Sequence, residues 1–479
     1  MNDSSSSHKR ELGKKRAASF SFYIPILLVL GVLYRLYLLL ESPLSFDENI
    51  QYDLLSQVHS LLGVIEYNYT HDFQFPLGYI LSYPLVKYFP ENLFAFRFIS
   101  FFLVIPGFFL FYRIMGIRSL VPSYPASQNQ RWLGTLIFSL SFFSLEYGFN
   151  ARPYSLMLFF SLLSFYLGLK WESTEERRFF CLFILSLFFL GLSHLFGLVL
   201  ALYLFILFWY LKKGVSKAFI SFVGALFALA ITSLIFYQIN SDPLVLEQRR
   251  AVSLTKFYGL FLYLYNDNFI FLFLLIFVFL RMLKFNKRVL LLFFSPLCLL
   301  LVISLILNFL GLPSFEYRFF IGGAAFSFIF IAFLPVIWRK KVSGRDKGSS
   351  LLLSPFLFCI CMILLFLPNC LKIYFYIENY PNIPEVMVKL TQELSSSSKE
   401  DKMVVACGNC PRFYESVLLE SGGRLHCLGG WDFSLNREVL GTVREPYFLI
   451  FKDNMNFCSD LIKEGTRSLY ESRNLYFSK

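Results

Sequence analysis

The chain has 479 residues, of which 56% are apolar and 16% charged, whereas soluble domains have about 45–50% apolar and about 25% charged residues. This composition excludes a soluble globular enzyme, a disordered chain and a small disulfide scaffold. The net charge of +12 indicates basic cytoplasmic loops rather than a nucleic acid partner, because apolar runs dominate and no nucleic-acid-binding motif is present.

The amino terminus is polar and basic over residues 1–19, and an apolar run follows from Phe20 to Leu40, interrupted only by Arg35. A cleaved signal peptide has a shorter apolar core and a small-residue cleavage site, neither of which is present. The pattern therefore predicts a cytoplasmic tail at 1–19 and an uncleaved first transmembrane helix.

Ten further apolar segments follow: 93–112, 132–149, 153–169, 179–192, 194–211, 218–239, 257–280, 289–310, 317–338 and 351–377. Every second connection is rich in Lys and Arg, which the positive-inside rule places in the cytoplasm. We therefore predict an all-α polytopic protein of the inner (plasma) membrane with about eleven spans, in a range of about nine to thirteen, and a non-cytoplasmic carboxyl terminus.

The lengths of two apolar segments leave the number of membrane spans ambiguous. The segment from Pro76 to Phe89 is too short to cross comfortably, and counting it as a span would spoil the alternation of basic loops. We predict that it is an interfacial helix on the outer surface. The run 179–211 could be one tilted helix, but its two basic flanks favour two short helices that turn near Ser193 and His194.

The composition changes after Tyr380, which ends the predicted transmembrane domain 20–380. The stretch 381–401 contains Pro381, Pro384 and a run of serines, as is typical of a linker. Residues 402–479 alternate strand-like and helix-like pieces, which predicts a small α/β appendage. The predicted strands are Met403–Ala406, Tyr447–Phe451 and Leu475–Phe477, and the predicted helices are Arg412–Glu420 and Phe457–Lys463. Four cysteines of this non-cytoplasmic tail are able to form disulfides or stay free thiols: Cys407, Cys410, Cys427 and Cys458.

The first outer loop, 41–92, contains the most distinctive polar residues. Asp47 and Glu48 come directly after the first span, and His71 lies later in the loop. Adjacent carboxylates beside a bilayer are costly to desolvate. A solvated helix start capped by Ser45 would explain the acidic pair without any function.

Three arginines fall at the same membrane face in this topology: Arg35 near the outer end of the first span, Arg152 in a short outer turn, and Arg318 at the start of a later span. Any single one is commonly a snorkelling side chain. Guanidiniums and carboxylates at one interface nevertheless suit a phosphate leaving group and a proton acceptor. The combination predicts a polar site at the outer surface.

Six short motifs in chain order resemble those of the GT-C membrane glycosyltransferases, which use polyprenyl-phosphate sugars. The closest likeness is to bacterial relatives of the protein O-mannosyltransferases and of the aminoarabinose transferase acting on lipid A. The motifs lie at Arg35–Glu48, His71–Tyr79, Phe96–Ser100, Ala151–Leu156, Ser193–Gly197 and Tyr317–Phe320. This resemblance covers residues 20–338. Two positions depart from the family pattern: Asn150 stands where an acidic residue is frequent, and the first Pro of the His-Pro-Pro pattern is missing.

The resemblance implies a GT-C-like fold and transfer of a sugar from a polyprenyl-phosphate donor to an envelope glycan, lipid or protein, lipopolysaccharide included, on the non-cytoplasmic face. The catalytic residues implied are Asp47, as the base, and Glu48. A close like charge or partial burial would raise the pKa of the Asp47 carboxyl, and Glu48 would either supply that charge or steady the site. The substrate-binding residues implied are Arg35, His71, Arg152, Tyr154, His194, Tyr317 and Arg318. Arg152 and Arg318 are the first candidates for the departing phosphate.

The resemblance implies that His71 and His194 bind sugar or phosphate, and the alternative for each is packing in the core or at the interface. Membrane lipids are expected partners, and a divalent cation would suit the chemistry, although no ligand spacing demands one. The main alternative is a transporter or flippase of a lipid-linked or anionic substrate. Transporters place ionisable groups near the midplane within repeated, broken helices, and no repeat is visible. A lipid-binding scaffold without chemistry would tolerate Asp47→Asn.

Overall fold

The computed structural model describes residues 25–40, 42, 46–67, 77–90, 92–117, 126–213, 259–260, 291–293, 295–309 and 320–329, and five strands between 402 and 478. The predicted spans 218–239 and 351–377, and the predicted helices of the tail, lie outside these residues. His71, Tyr317 and Arg318 lie outside them as well, and Asp47 is described in its backbone only.

The helices in chain order are α1 (Pro25–Leu40), α2 (Phe46–Gln57), α3 (Leu61–Tyr67), α4 (Leu77–Tyr88), α5 (Leu93–Met115), α6 (Gln128–Ser139), α7 (Phe142–Glu146), α8 (Tyr154–Thr174), α9 (Arg177–Ser193), α10 (Leu195–Lys213), α11 (Ser295–Phe309) and α12 (321–329). Among them, α5, α8 and α10 are long and apolar enough to cross a bilayer, while α1 and α11 are shorter apolar helices. The large apolar side chains that α9 exposes fit contact with lipid rather than water: Leu182, Ile184, Leu185 and Phe188.

The predicted division of the run 179–211 into two helices is confirmed. Helix α9 ends at Ser193, His194 is extended, and α10 begins at Leu195. Helices α8, α9 and α10 pack against one another, and a hydrogen bond of 3.0 Å from Ser164 Oγ to Ser186 Oγ joins α8 to α9. The turn therefore lies between the two basic flanks, at the residues that the sequence indicated.

The predicted span 132–149 differs from the structure, because it is interrupted after Ser139. Helix α6 ends there, and α7 begins at Phe142 after two intervening residues. The hydroxyl of Ser139 donates to Leu136 O at 2.9 Å, and that of Ser141 donates to Phe138 O at 2.7 Å. Serine hydroxyls that bond to preceding carbonyls compete with the helical backbone and bend helices.

The first outer loop forms three short helices, α2 to α4, with a break at 58–60 between the first two. The predicted interfacial segment contains α4, whose 12 residues span about 18 Å against an apolar layer of about 30 Å. Its helical state and short length agree with the prediction. Its location on the outer surface stays a prediction.

The described part of the tail is a five-stranded sheet of β1 (Lys402–Cys407), β2 (Gly423–Leu428), β3 (Tyr447–Phe451), β4 (Ser468–Glu471) and β5 (Leu475–Ser478). The strand order is β2-β1-β3-β5-β4. Strand β1 runs parallel to β2 and β3, and β5 runs antiparallel to β3 and β4. The three strands predicted from the sequence lie within β1, β3 and β5. The α/β class of the tail stays a prediction, because its helical segments lie outside the described residues.

The chain divides into two compact units. One consists of Met1–Leu39, Asn68–Gly78 and Arg97–Asn369, and the other of Leu40–Tyr67, Tyr79–Phe96 and Cys370–Lys479. In the first unit, an aromatic core surrounds Phe165 of α8, which contacts Phe208 of α10 at a ring-centroid distance of 5.7 Å and Phe326 of α12 at 4.7 Å. The predicted domain boundaries at 380 and 402 stay predictions.

Candidate functional site

The acidic pair lies in the first turn of α2, which begins at Phe46. Carboxylates at this position interact favourably with the positive end of the helix dipole. Glu48 is only 1% exposed, so the solvated helix start that would explain the pair without function does not describe Glu48. A buried carboxylate is costly unless it interacts with other groups. Buried carboxylates with such interactions are expected at a functional site.

Gln51 is a residue of the same helix that the sequence analysis missed. It follows Asp47 by four residues and Glu48 by three, so all three lie on one side of α2. Gln51 is 1% exposed, and within the described residues its Oε1 has no hydrogen-bond partner. The i+4 spacing from Asp47 was the available signal. A buried, unsatisfied amide oxygen beside the acidic pair is a candidate acceptor for a substrate hydroxyl.

Arg152 is buried in the turn that precedes α8. Its backbone N–H donates to Asn150 O at 2.8 Å, and Pro153 caps α8 at the next position. A guanidinium at the amino terminus of a helix is unfavourable with respect to the helix dipole, whereas an anion there is favoured. The buried Arg152 side chain together with the amino terminus of α8 therefore suits a bound phosphate.

Two of the predicted motifs meet at this turn. Gly78, in the His71–Tyr79 motif, lies so close to Pro153 that a Cβ at position 78 would be 3.4 Å from the Pro153 Cβ. Ser155 Oγ donates to Ser100 Oγ of α5 at 2.9 Å. The turn that carries Arg152 is therefore in contact with the start of α4 and with α5, which places residues from distant parts of the chain around it.

A third motif reaches the same place through His194. The rings of Tyr154 and His194 are 5.4 Å apart, and both side chains are buried. His194 Nδ1 accepts a hydrogen bond of 3.1 Å from the backbone N–H of Phe196. In the neutral imidazole the proton then lies on Nε2, which is a hydrogen-bond donor.

Arg35 is fully buried and bonded to backbone and hydroxyl oxygens. Its Nη1 donates to Gly31 O at 2.9 Å, and its Nη2 donates to Ser139 O and, at 3.1 Å, to Ser144 Oγ. Its Cζ lies 4.9 Å from the centre of the Phe108 ring. The side chain thus connects α1 to the α6–α7 break and to α5.

Arg97, within the Phe96–Ser100 motif, is a second fully buried arginine, and its role was not predicted. Its Nη1 donates to Leu39 O at 3.1 Å, and its Cζ lies 5.7 Å from the Phe149 ring. Phe149 precedes Arg152 by three residues. A charged residue inside an apolar span was the available signal, because such residues are rare within membranes and usually functional.

The structure brings Tyr154, His194 and the turn of Arg152 together, whereas the predicted convergence of the acidic pair with the guanidiniums stays a prediction. His71, Tyr317, Arg318 and the Asp47 side chain lie outside the described residues. Within the part of the chain that is described, no group of three or more His, Cys, Asp or Glu side chains could hold a metal ion.

Comparison with known proteins gives structural likeness only. Neither a protein-family model nor a curated protein matches the sequence. The crystal structure of ArnT from Cupriavidus metallidurans bound to undecaprenyl phosphate matches 96% of this chain and 98% of its own, with a TM-score of 0.51 and 9% identity. The apo state of ArnT matches over the same shares of both chains, with a TM-score of 0.51 and 10% identity.

A third structure is the apo oligosaccharyltransferase of Archaeoglobus fulgidus, with a TM-score of 0.47 and 12% identity over 91% of this chain and 70% of its own. ArnT and the oligosaccharyltransferase are both GT-C membrane glycosyltransferases. The likeness to ArnT extends over nearly the whole of both chains and shows that this chain shares the fold of ArnT.

Proposed function

We propose that the chain is a membrane glycosyltransferase that moves a sugar from a polyprenyl-phosphate donor to an envelope glycan, lipid or protein on the non-cytoplasmic face. The observation that carries this proposal is the fold shared with an ArnT structure that contains undecaprenyl phosphate. A lipid-linked donor stays within the bilayer, so a protein consisting mainly of apolar helices needs no soluble nucleotide-binding domain to bind it.

The reaction forms one bond and breaks one. A hydroxyl or amino group of the acceptor attacks the anomeric carbon of the sugar, and the bond from that carbon to the phosphate oxygen breaks. The acceptor proton passes to a carboxylate, and the polyprenyl phosphate leaves with the electron pair of the broken bond. The site therefore requires a base beside the acceptor and positive charge beside the phosphate.

Asp47 is the proposed base. Its place in the first turn of α2 favours the ionised carboxylate, which is the form that accepts a proton. Glu48 is proposed to add a like charge beside Asp47 or to steady the site. Gln51, on the same side of α2, offers a hydrogen-bond acceptor.

Arg152 is the proposed principal ligand of the phosphate, and Arg318 is the second. The buried position of Arg152 beside the amino terminus of α8 supports this role, since a guanidinium binds phosphate by paired hydrogen bonds. Tyr154 and His194 line the same turn and are proposed to bind the sugar or the phosphate, as are His71 and Tyr317. Transport is not favoured, because the ArnT structures that share this fold are those of a transferase.

Membranes that contain the protein, incubated with a panel of labelled polyprenyl-phosphate sugars, test the proposal by transfer of label into lipid, glycan or protein fractions. Asp47→Asn and Arg152→Ala are expected to reduce transfer at least about a hundredfold. Glu66→Gln and Arg178→Ala, which change exposed residues of the same kinds, are the matched controls and keep full activity. Undiminished transfer by Asp47→Asn would remove Asp47 as the base, and no transfer from any donor would refute the function.

A further inference from the structure

We propose that Arg35 is a positioning residue: its guanidinium holds the α6–α7 break and, through it, the turn that carries Arg152. This inference rests on the proposed function for its catalytic meaning. It replaces a direct contact between Arg35 and the phosphate, which its position near the outer end of α1 had suggested. The assignment follows from the groups that the guanidinium contacts.

The break between α6 and α7 exposes backbone groups that the apolar layer does not satisfy. A helix that ends leaves its last carbonyls without intrahelical partners, and water is not available to them inside a membrane. The carbonyl of Ser139, the last residue of α6, is such a group. Arg35 Nη2 donates to this carbonyl and also to Ser144 Oγ in α7, so one guanidinium bridges both sides of the break.

The guanidinium is itself held in place from the opposite side. Its Nη1 donates to Gly31 O within α1, and its flat face rests on the Phe108 ring of α5. Hydrogen bonds from a charged donor are roughly twice as strong as neutral ones. Arg35 therefore fixes α1, α5 and the broken helix relative to one another at one point.

The same side chain lies against the turn that leads to Arg152. Gly148 is so close to it that a Cβ at position 148 would be 2.8 Å from Arg35 Nε and 2.7 Å from Ser144 O. The residues on either side are also held, Tyr147 by Tyr154 at a ring distance of 4.9 Å and Phe149 by Arg97. Three consecutive residues of the turn thus have fixed partners, and Arg152 follows three residues later.

Two variants test this arrangement without changing Arg152. Arg35→Leu removes the guanidinium, and Gly148→Ala keeps it but displaces it by the added Cβ. Gly107→Ala is the matched control, because a Cβ at position 107 meets no atom within 4 Å. Each variant of the full chain is purified in detergent, and hydrogen exchange is measured for the backbone amides of residues 147–152.

Exchange in this turn is expected to be about tenfold faster in Arg35→Leu and Gly148→Ala and unchanged in Gly107→Ala. In the transfer assay, Arg35→Leu should lower the rate of the native protein about tenfold. The same change should lower the rate of Arg152→Ala less than about twofold, because a residue that acts through Arg152 has no effect without it. Unchanged exchange, or the full tenfold loss in the Arg152→Ala background, would overturn the proposal. The exchange result holds even if no sugar transfer is found.

Discussion

The close contact between α8 and α10 at Gly168 yields a quantitative prediction. A Cβ at position 168 would lie 2.4 Å from the Phe208 ring, whereas carbon atoms prefer about 3.5–4.0 Å. Phe208 is fully buried and lies between Phe165 and Phe183, at ring distances of 5.7 and 5.5 Å. The ring cannot yield by the necessary ångström without moving its neighbours.

Gly168→Ala should therefore lower stability by the cost of overpacking, about 1–3 kcal/mol. Gly107→Ala on α5 should instead raise stability by up to about 1 kcal/mol, because alanine has the higher helix propensity and the space is open. Urea or thermal unfolding of both variants in the same detergent measures the difference. The second change Phe208→Leu should restore part of the loss in Gly168→Ala. A Gly168→Ala protein as stable as Gly107→Ala would refute the proposed helix contact.

Three further predictions concern the site and the topology. Gln51→Leu should raise stability by about 1 kcal/mol, because it removes a buried unsatisfied acceptor, and it should lower sugar transfer. Lower stability with full transfer would contradict the proposal that Gln51 accepts a hydrogen bond from the substrate. Undecaprenyl phosphate at about a hundredfold excess over its Kd should stabilise the native protein by about 2.7 kcal/mol, and Arg152→Ala but not Arg178→Ala should abolish this effect. In sealed cells with a permeable outer envelope, a membrane-impermeant maleimide applied after mild reduction should label Cys407 and Cys458; labelling only after the cells are lysed would place the tail in the cytoplasm.

The features that could be predicted from the sequence are those set by local chemistry. The turn at His194 followed from basic flanks around a long apolar run, because charge placement relative to the membrane depends on nearby residues only. The strands at 403–406, 447–451 and 475–477 followed from short apolar runs between polar stretches, a pattern that requires no knowledge of the partner strand.

The features that escaped prediction depend on partners distant in the chain. The interruption after Ser139 lies in a continuous apolar pattern, and the guanidinium that stabilises it comes from α1, 104 residues earlier. The role of Arg97 depends on its contacts with Leu39 and Phe149, which appear only in three dimensions. The role of Gln51 likewise depends on burial, which its polar neighbourhood did not reveal.

The serine pairs of α8 bear on how the protein is assembled during synthesis. Ser164 bonds to Ser186 only 22 residues away, so α8 and α9 can associate as soon as both have left the translocon. Ser155 bonds to Ser100, 55 residues earlier, across the α6–α7 break. Contacts that are local in sequence form first, so the α8–α9 hairpin should precede the docking of α5. Arg152 would then acquire its surroundings late, after the ribosome has passed the middle of the chain.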